Sequence, residues 1–188
     1  VQSGVDVSVI AVGTGQALKL GEDGNADVVL VHACAREAAF MDAGHGGRRH
    51  QVMYNDFVIL GGVDDDPASI QGMTDVVPAL QAIASAQAPF VSRGDDSGTH
   101  IKEESLWSDA NVEPVGDWYI AAGQGMGAVL TIAEERQAYT ISDRSTYLKR
   151  TVNGIDLTIR VEGDPRLFNP YSIMTVSYTH LTLPTNGC

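Results

Sequence analysis

Residues 92–99, with the sequence SRGDDSGT, contain several hydrogen-bond donors suited to a small anion. Arg93 carries a permanent charge and a forked guanidinium, which can bind an oxyanion through two parallel N–H groups. Ser97 and Thr99 add hydroxyl donors, and the two glycines let backbone N–H groups come close to a ligand. A helix predicted over residues 100–107 would direct the unpaired N–H groups of its first turn at this segment. The pattern favours capture of a small oxyanion.

The same residues also suit an ordinary helix start. In that interpretation Ser97 or Thr99 caps the first turn, and Arg93 forms an ion pair with Asp95 or Asp96. Residue spacing alone does not decide between the two interpretations.

A catalytic role for this segment is the weaker hypothesis. Ser97 would be the nucleophile, His100 the base and an Asp the orienting residue, but the GxSxG pattern requires a glycine two residues before the serine. The nearest upstream glycine, Gly94, lies one residue too early. The members of this triad would also be sequence neighbours, which seldom form a proton relay. We therefore expect a binding protein rather than an enzyme.

Two further glycine-rich turns join apolar runs to predicted helices. The first contains Thr14 and Gly15, but it fails as a dinucleotide fingerprint because the third glycine of GxGxxG is replaced by Leu18. The second is GQGMG at residues 123–127. Each turn is a weak signal alone, but several such turns are what a tetrahedral ligand shared between two lobes would require.

No metal or cofactor site is expected. The histidines lack the spacing of zinc ligands, and the acidic run at residues 64–66 lacks the spacing of a calcium loop, so it is interpreted as a turn that precedes a helix. Cys34 is predicted to be an ordinary buried thiol in a helix, and the other cysteine is the last residue, Cys188.

The composition is that of a globular protein, with 188 residues, 44% apolar residues and a formal charge of −12. The negative charge argues against a nucleic-acid partner, which requires a basic surface. It does not exclude an anion site, because charges farther away than roughly 8 Å are largely screened. The donors that line the site then determine whether an anion binds. No apolar run approaches the roughly 20 residues needed to span a bilayer. We expect that the beginning of the first domain and any targeting peptide are missing from this chain.

Short β-branched runs alternate with helical patterns, which predicts an α/β fold with largely parallel sheets. Two helices are expected to pack through apolar stripes, one of Val76, Leu80 and Ile83 and one of Met126, Val129, Leu130 and Ala133. Strand candidates are residues 5–12, 27–31, 52–60, 89–92, 138–142, 157–161 and 171–176.

Two lobes joined by crossing strands are predicted. Residues 1–56 form an incomplete first lobe, residues 57–170 the second lobe, and residues 171–175 a returning crossover strand. Residues 176–188 resemble the translation of a transposase sequencing adapter, so we interpret them as a non-native tail and exclude them from functional reasoning.

Long ordered motifs across residues 1–175 resemble the tungstate-binding periplasmic component of ABC transporters. These motifs are GTGQALKLGEDGNADVVLVHA (13–33), VMYNDFVILG (52–61), FVSRGDDSGTHIKE (90–103), WY (118–119), GQGMG (123–127), YTISDRSTYL (139–148) and LFNPY (167–171). The R-x-x-x-S-G-T core is also similar to that of phosphate-binding proteins.

The resemblance implies a type II periplasmic binding-protein fold, with two α/β lobes that close on tungstate or molybdate. It further implies a periplasmic or extracytoplasmic monomer that delivers the anion to a membrane permease, with no nucleic-acid partner. The positions implied to contact the anion are Ser92, Arg93, Ser97, Gly98 and Thr99, with Thr14 and Gly15 from the first lobe. The family's first anion contact near the mature N-terminus has no counterpart here. An anion-sensing regulatory domain of the same fold and a phosphate-binding protein are the alternatives.

Overall fold

The computed structural model describes residue 4 and residues 6–178. The helices of this described part are α1 (Thr14–Glu22), α2 (Cys34–Asp42), α3 (Val76–Ala86), α4 (Gly98–Asp109), α5 (Met126–Glu135) and α6 (Arg144–Thr151), with a short 3-10 helix at Pro165–Leu167. The strands are β1 (Val28–Val31), β2 (Gly46–Gly62), β3 (Phe90–Ser92), β4 (Tyr119–Ala121), β5 (Thr140–Asp143), β6 (Leu157–Val161) and β7 (Phe168–Val176). None of the described helices is both long and apolar enough to cross a membrane.

The chain divides into two compact units. Unit 1 comprises Val1–Gln51 and Ser172–Cys188, and unit 2 comprises Val52–Tyr171. The chain passes between the units twice, once within β2 and once within β7. In unit 1, β1 pairs with β7 in antiparallel register, and a small apolar cluster that includes Phe40 and Met174 supports this pair.

The core of unit 2 is built on both faces of β2. Alternate residues of a strand point to opposite faces, so Phe57 and Ile59 enter one apolar cluster while Val58 and Leu60 enter another. The helices α3 and α4 contribute to the first cluster, and α5 contributes to the second. Both predicted helical stripes are buried, which confirms them as core faces. Unit 2 is therefore a layered α/β structure.

The strand pairing corrects the prediction of largely parallel sheets to a mixed arrangement. The strands β3 and β4 are parallel, and Phe90 of β3 forms a parallel bridge with Tyr139, next to β5. However, β2 runs antiparallel to both β5 and β6. The strand β2 enters from unit 1, and the alternation of helices and strands in the sequence does not determine the direction of an entering strand.

Two other local predictions are wrong. Residues 6–12 form no strand in the described structure, and Val7 and Val9 are exposed by 78% and 82% because no neighbouring strand pairs with them. Cys34 is exposed rather than buried, since it occupies the first position of α2, whose buried residues are Glu37 and Phe40.

Asp164 links the segment after β6 to the start of α3. Its carboxylate accepts hydrogen bonds from the backbone N–H groups of Val76 and Arg166, both at 2.8 Å, and pairs with the Arg166 guanidinium at 2.7 Å. Burial opposes ionisation, but the Arg166 guanidinium and these N–H groups prevail and lower the pKa of Asp164 from 3.8 to about 2. A depressed carboxyl pKa stabilises the fold above about pH 4, and this contribution is lost as the pH falls towards 2.

We therefore expect Asp164→Asn to reduce the free energy of unfolding at pH 7 by about 2 kcal/mol, and to flatten its decline between pH 4 and pH 2. Urea unfolding across this pH range measures both effects, with the exposed Asp109→Asn as the matched control. If the free energy of unfolding of Asp164→Asn fell between pH 4 and pH 2 as steeply as that of the wild type, the loss could not be assigned to protonation of Asp164.

Candidate functional site

Two loops of unit 2 meet at one edge of the parallel β3–β4 pair. The first, which we call the Arg93 turn, comprises residues 93–97 and joins β3 to α4; the second joins β4 to α5. Ala122 N donates to Ser92 O at 2.9 Å, and Gln124 N donates to Arg93 O at 3.3 Å. Gly94 has a φ of +58°, and a Cβ at this position would lie 3.0 Å from the Ala121 Cβ. Glycine is therefore required where the two loops approach each other.

The strand β5 passes into α6 without an intervening loop, so three neighbouring strands are each followed by a helix. The N-cap residues of α4, α5 and α6 are Ser97, Gly125 and Asp143. Gly125 provides no side-chain cap, so the first-turn N–H groups of α5 have no side-chain acceptor from it. The carboxyl ends of parallel strands, followed by helix N-termini, are where α/β folds bind anions. This edge of unit 2 has the elements of an anion site.

Asp95 holds the guanidinium of Arg93 within the turn. One Asp95 oxygen accepts from Arg93 Nε at 3.1 Å and from Nη2 at 2.5 Å, and the other accepts from Ser97 N at 3.2 Å. The Arg93 side chain is 19% exposed. A guanidinium has five N–H donors, and within the described chain Asp95 occupies two of them. The remaining donors of Arg93 are available to a ligand.

The two carboxylates of the turn are in different environments. Partial burial opposes ionisation of Asp95, but Arg93 and Ser97 prevail and lower its pKa, so Asp95 is a carboxylate at neutral pH. The Asp96 side chain is 97% exposed. The Asp96 backbone N–H donates to His100 Nδ1 at 3.1 Å. Asp95 is thus engaged by the turn itself, and Asp96 extends into solvent.

Ser97 caps α4, and its side chain also forms a hydrogen bond that helps to lower the pKa of Asp95, so an anion would compete with Asp95 for the hydroxyl proton. Its Oγ accepts from His100 N at 3.3 Å, and an oxygen that accepts in this way can still donate its hydroxyl hydrogen. The N–H groups of Gly98 and Thr99 belong to the first helical turn, which has no intrahelical acceptors for them. These are donor groups of the kind an oxyanion requires.

Five of the seven predicted contact residues lie together. The Arg93 turn and its borders contain Ser92, Arg93, Ser97, Gly98 and Thr99. The other two, Thr14 and Gly15, open α1 in unit 1, so they are not part of this turn. The contacts of the capped-helix interpretation, an Arg93–Asp95 pair and a Ser97 cap, are also present, and they are compatible with the free donors described above.

Sequence reasoning missed a buried carboxylate beneath the turn. Glu103 is 1% exposed, and its Oε1 accepts from the Tyr119 hydroxyl at 2.7 Å and from Trp107 Nε1 at 3.2 Å. Glu103 follows Thr99 by four residues and precedes Trp107 by four, so the three residues share one face of α4. This four-residue spacing is the sequence signal that could have placed Glu103 on the same helical face as Trp107.

Sequence reasoning also missed a groove of about 730 Å³ elsewhere in unit 2, lined in part by Tyr54 and Phe168. Its cation, Arg144, is paired with Asp56 at 2.6 Å and with Glu162 at 2.8 Å. Two carboxylates pair with Arg144, whereas one pairs with Arg93, so the groove is a poorer anion site than the Arg93 turn. No cluster of metal-binding side chains is present among the described residues.

Comparison with known proteins places these features in a family. The model of the PBP superfamily domain matches residues 1–185. The chain belongs to the PBP superfamily. The α/β periplasmic binding-protein fold expected from the sequence motifs is therefore confirmed.

Several relatives within this superfamily are similar over nearly the whole chain. The tungstate-binding protein TupA of Peptoclostridium acidaminophilum is 49% identical over 93% of this chain and 61% of its own length. The structure of TupA from Desulfovibrio alaskensis has a TM-score of 0.81 and 49% identity, covering 93% of this chain and 71% of that one. The structure described as the tungstate ABC transporter from Geobacter sulfurreducens has a TM-score of 0.80 and 54% identity, covering 93% and 74%. The chain thus spans about three fifths of the length of the Peptoclostridium relative.

Proposed function

We propose that this chain is the solute-binding part of an ABC transporter and captures a tetrahedral oxyanion, tungstate or molybdate, at the Arg93 turn. The observation that carries the proposal is the guanidinium of Arg93, which Asp95 fixes beside the N-terminus of α4 with donors to spare. The similarity to proteins described as tungstate-binding supports the choice of ligand.

In this mechanism the turn replaces the hydration shell of the anion with fixed donors. Arg93 contributes charge and direction, since a forked guanidinium holds two oxyanion oxygens at once. The Ser97 hydroxyl and the N–H groups of Gly98 and Thr99 approach the same anion from the positive end of α4. Binding changes no covalent bond, so no catalytic residue is assigned.

The position of the two carboxylates determines which oxyanion fits. Hydrogen phosphate keeps a proton at neutral pH and gains from a carboxylate acceptor, whereas tungstate and molybdate are fully ionised and are repelled by one. Asp95 is occupied by Arg93 and Ser97, and Asp96 is directed into solvent. The turn therefore favours a fully ionised oxyanion over hydrogen phosphate.

We further infer that the protein acts outside the cytoplasm as a monomer and delivers its anion to a membrane permease. The similarity to a structure described as a tungstate ABC transporter supports this role. The net charge of −12 supports the absence of a nucleic-acid partner.

Calorimetric titration of this chain with tungstate, molybdate, sulfate and phosphate tests the proposal, with the TupA protein of Desulfovibrio alaskensis as the positive control. We expect tungstate and molybdate to bind at least about tenfold more tightly than phosphate at pH 7.5, a difference of roughly 1.4 kcal/mol. Equal or tighter binding of phosphate would contradict the selectivity, and a lack of heat with all four anions would contradict the function.

A further inference from the structure

The buried carboxylate of Glu103 has one satisfied oxygen and one unsatisfied oxygen. Oε1 accepts from Tyr119 and Trp107, whereas Oε2 is buried without a hydrogen-bond partner among the described residues. An ionised buried carboxylate needs most of its lone pairs satisfied, and an oxygen without a donor makes the charged form expensive. The geometry at Oε2 is therefore better suited to a protonated carboxyl group.

The Ser92 hydroxyl is the polar group that faces this carboxyl group from β3. Ser92 is fully buried, and its Oγ makes no hydrogen bond of normal geometry within the described chain. It nevertheless lies close enough to Glu103 and Tyr119 to offset part of the rise that burial causes in the pKa of both groups. Ser92 immediately precedes Arg93, so its hydroxyl is at the base of the Arg93 turn.

The protonation state of Glu103 decides what the Ser92 hydroxyl can do. An ionised Glu103 can only accept, so it attracts the single Ser92 proton and adds a negative charge beneath the anion. A protonated Glu103 can donate to Ser92 Oγ, which leaves the Ser92 proton free to donate elsewhere. Only the second state adds a donor to the anion site.

Burial of Glu103 raises the pKa of its carboxyl group, and the donors Tyr119, Ser92 and Trp107 and the nearby His100 reduce this rise without cancelling it. The other ionisable groups near the cluster are Tyr119 itself, on β4, and Glu104, the next residue on α4. An incoming dianion would raise the Glu103 pKa further, because like charges disfavour ionisation.

We propose that Glu103 is a positioning residue that takes up a proton when the oxyanion binds, so that it donates to Ser92 and Ser92 donates to the anion. One proton moves from the buffer to Glu103, and no covalent bond in the protein or the anion changes. This inference rests on the proposed function, since it concerns the same turn.

The test is calorimetry of tungstate binding to this chain at pH 7 in several buffers that differ in ionisation enthalpy. The dependence of the observed heat on the buffer gives the number of protons taken up. We expect uptake of up to one proton per anion, and an affinity that falls as the pH rises from 6 to 8. Glu103→Gln should abolish both effects and retain tungstate affinity within about threefold, because the amide accepts from Tyr119 and Trp107 and donates to Ser92.

Glu104→Gln is the matched control, since Glu104 is the adjacent residue and its side chain is 60% exposed. It should leave proton uptake at the wild-type level. His100→Gln removes the nearby imidazole and so separates its contribution from that of Glu103. Uptake that persists in Glu103→Gln, or that disappears only in His100→Gln, would overturn the proposal.

A loss of tungstate affinity of tenfold or more in a Glu103→Gln variant that melts like the wild type would also overturn it. If that variant does not fold, the wild-type buffer series still decides, since binding without proton uptake overturns this inference alone. A wild type that binds no oxyanion would instead overturn the proposed function.

Discussion

Arg93→Ala is expected to weaken tungstate binding by about 100-fold, equivalent to roughly 3 kcal/mol. The substitution removes the charged fork, and it also releases Asp95, whose carboxylate then faces the anion without its partner. Both changes oppose binding. Calorimetric titration of the wild type and the variant at the same pH and ionic strength measures the loss.

Three further variants isolate the cause of this loss. Arg136→Ala removes the same charge from an exposed position at the end of α5, and it should leave the affinity within about twofold because the charge is screened. The double variant of Arg93→Ala and Asp95→Ala should recover part of the affinity, since the released carboxylate is absent. Arg93→Lys should be intermediate, because an ammonium group is a point charge without the fork. Unchanged tungstate affinity in Arg93→Ala would reject the site.

Trp107→Ala is expected to lower the free energy of unfolding by about 3–5 kcal/mol. The Trp107 ring is 2% exposed and packs edge-on against Phe90 and Trp118, with centroid distances of 5.2 and 5.9 Å. Its removal leaves a cavity in the first apolar cluster of unit 2 and takes one donor from Glu103.

Urea unfolding monitored by far-ultraviolet circular dichroism gives the change for Trp107→Ala. Val152→Ala is the control, since Val152 is 84% exposed at the end of α6 and its truncation should change stability by less than about 0.5 kcal/mol. A loss below about 1 kcal/mol in Trp107→Ala would show that the cluster closes around the missing ring, contrary to the close packing inferred for unit 2.

The elements of unit 2 were predictable where local pattern and packing agree. The stripe of Val76, Leu80 and Ile83 identified α3 because three- and four-residue spacing marks one helical face. The strand prediction for residues 6–12 was wrong because an alternating β-branched pattern does not by itself form a strand. A strand also requires a neighbouring strand to pair with, and the local sequence does not show whether one is present. The direction of β2 was missed for the same reason, since strand direction depends on distant residues.

The Arg93 turn, the proposed anion site, could be singled out from the sequence because its residues are contiguous. Arg93 and Ser97 lie within five residues, so their types and order indicated anion binding as one of two interpretations, beside an ordinary capped helix. Glu103 and Tyr119 were missed because they meet only when α4 and β4 pack together across sixteen residues of chain. A buried acid also has no separate sequence signature, since most glutamates with this spacing lie on solvated helix faces.

The contact between the Arg93 turn and the loop after β4 has a consequence for the rates of binding. The hydrogen bonds from Ala122 and Gln124, together with the ion pair between Asp95 and Arg93, order the turn before any ligand binds. Immobilising a free arginine side chain on binding would cost about 2 kcal/mol of rotamer entropy, and much of that ordering is already complete here. In the proposed function an anion therefore enters a preorganised site, and differences in affinity among oxyanions should appear chiefly in how fast each one leaves.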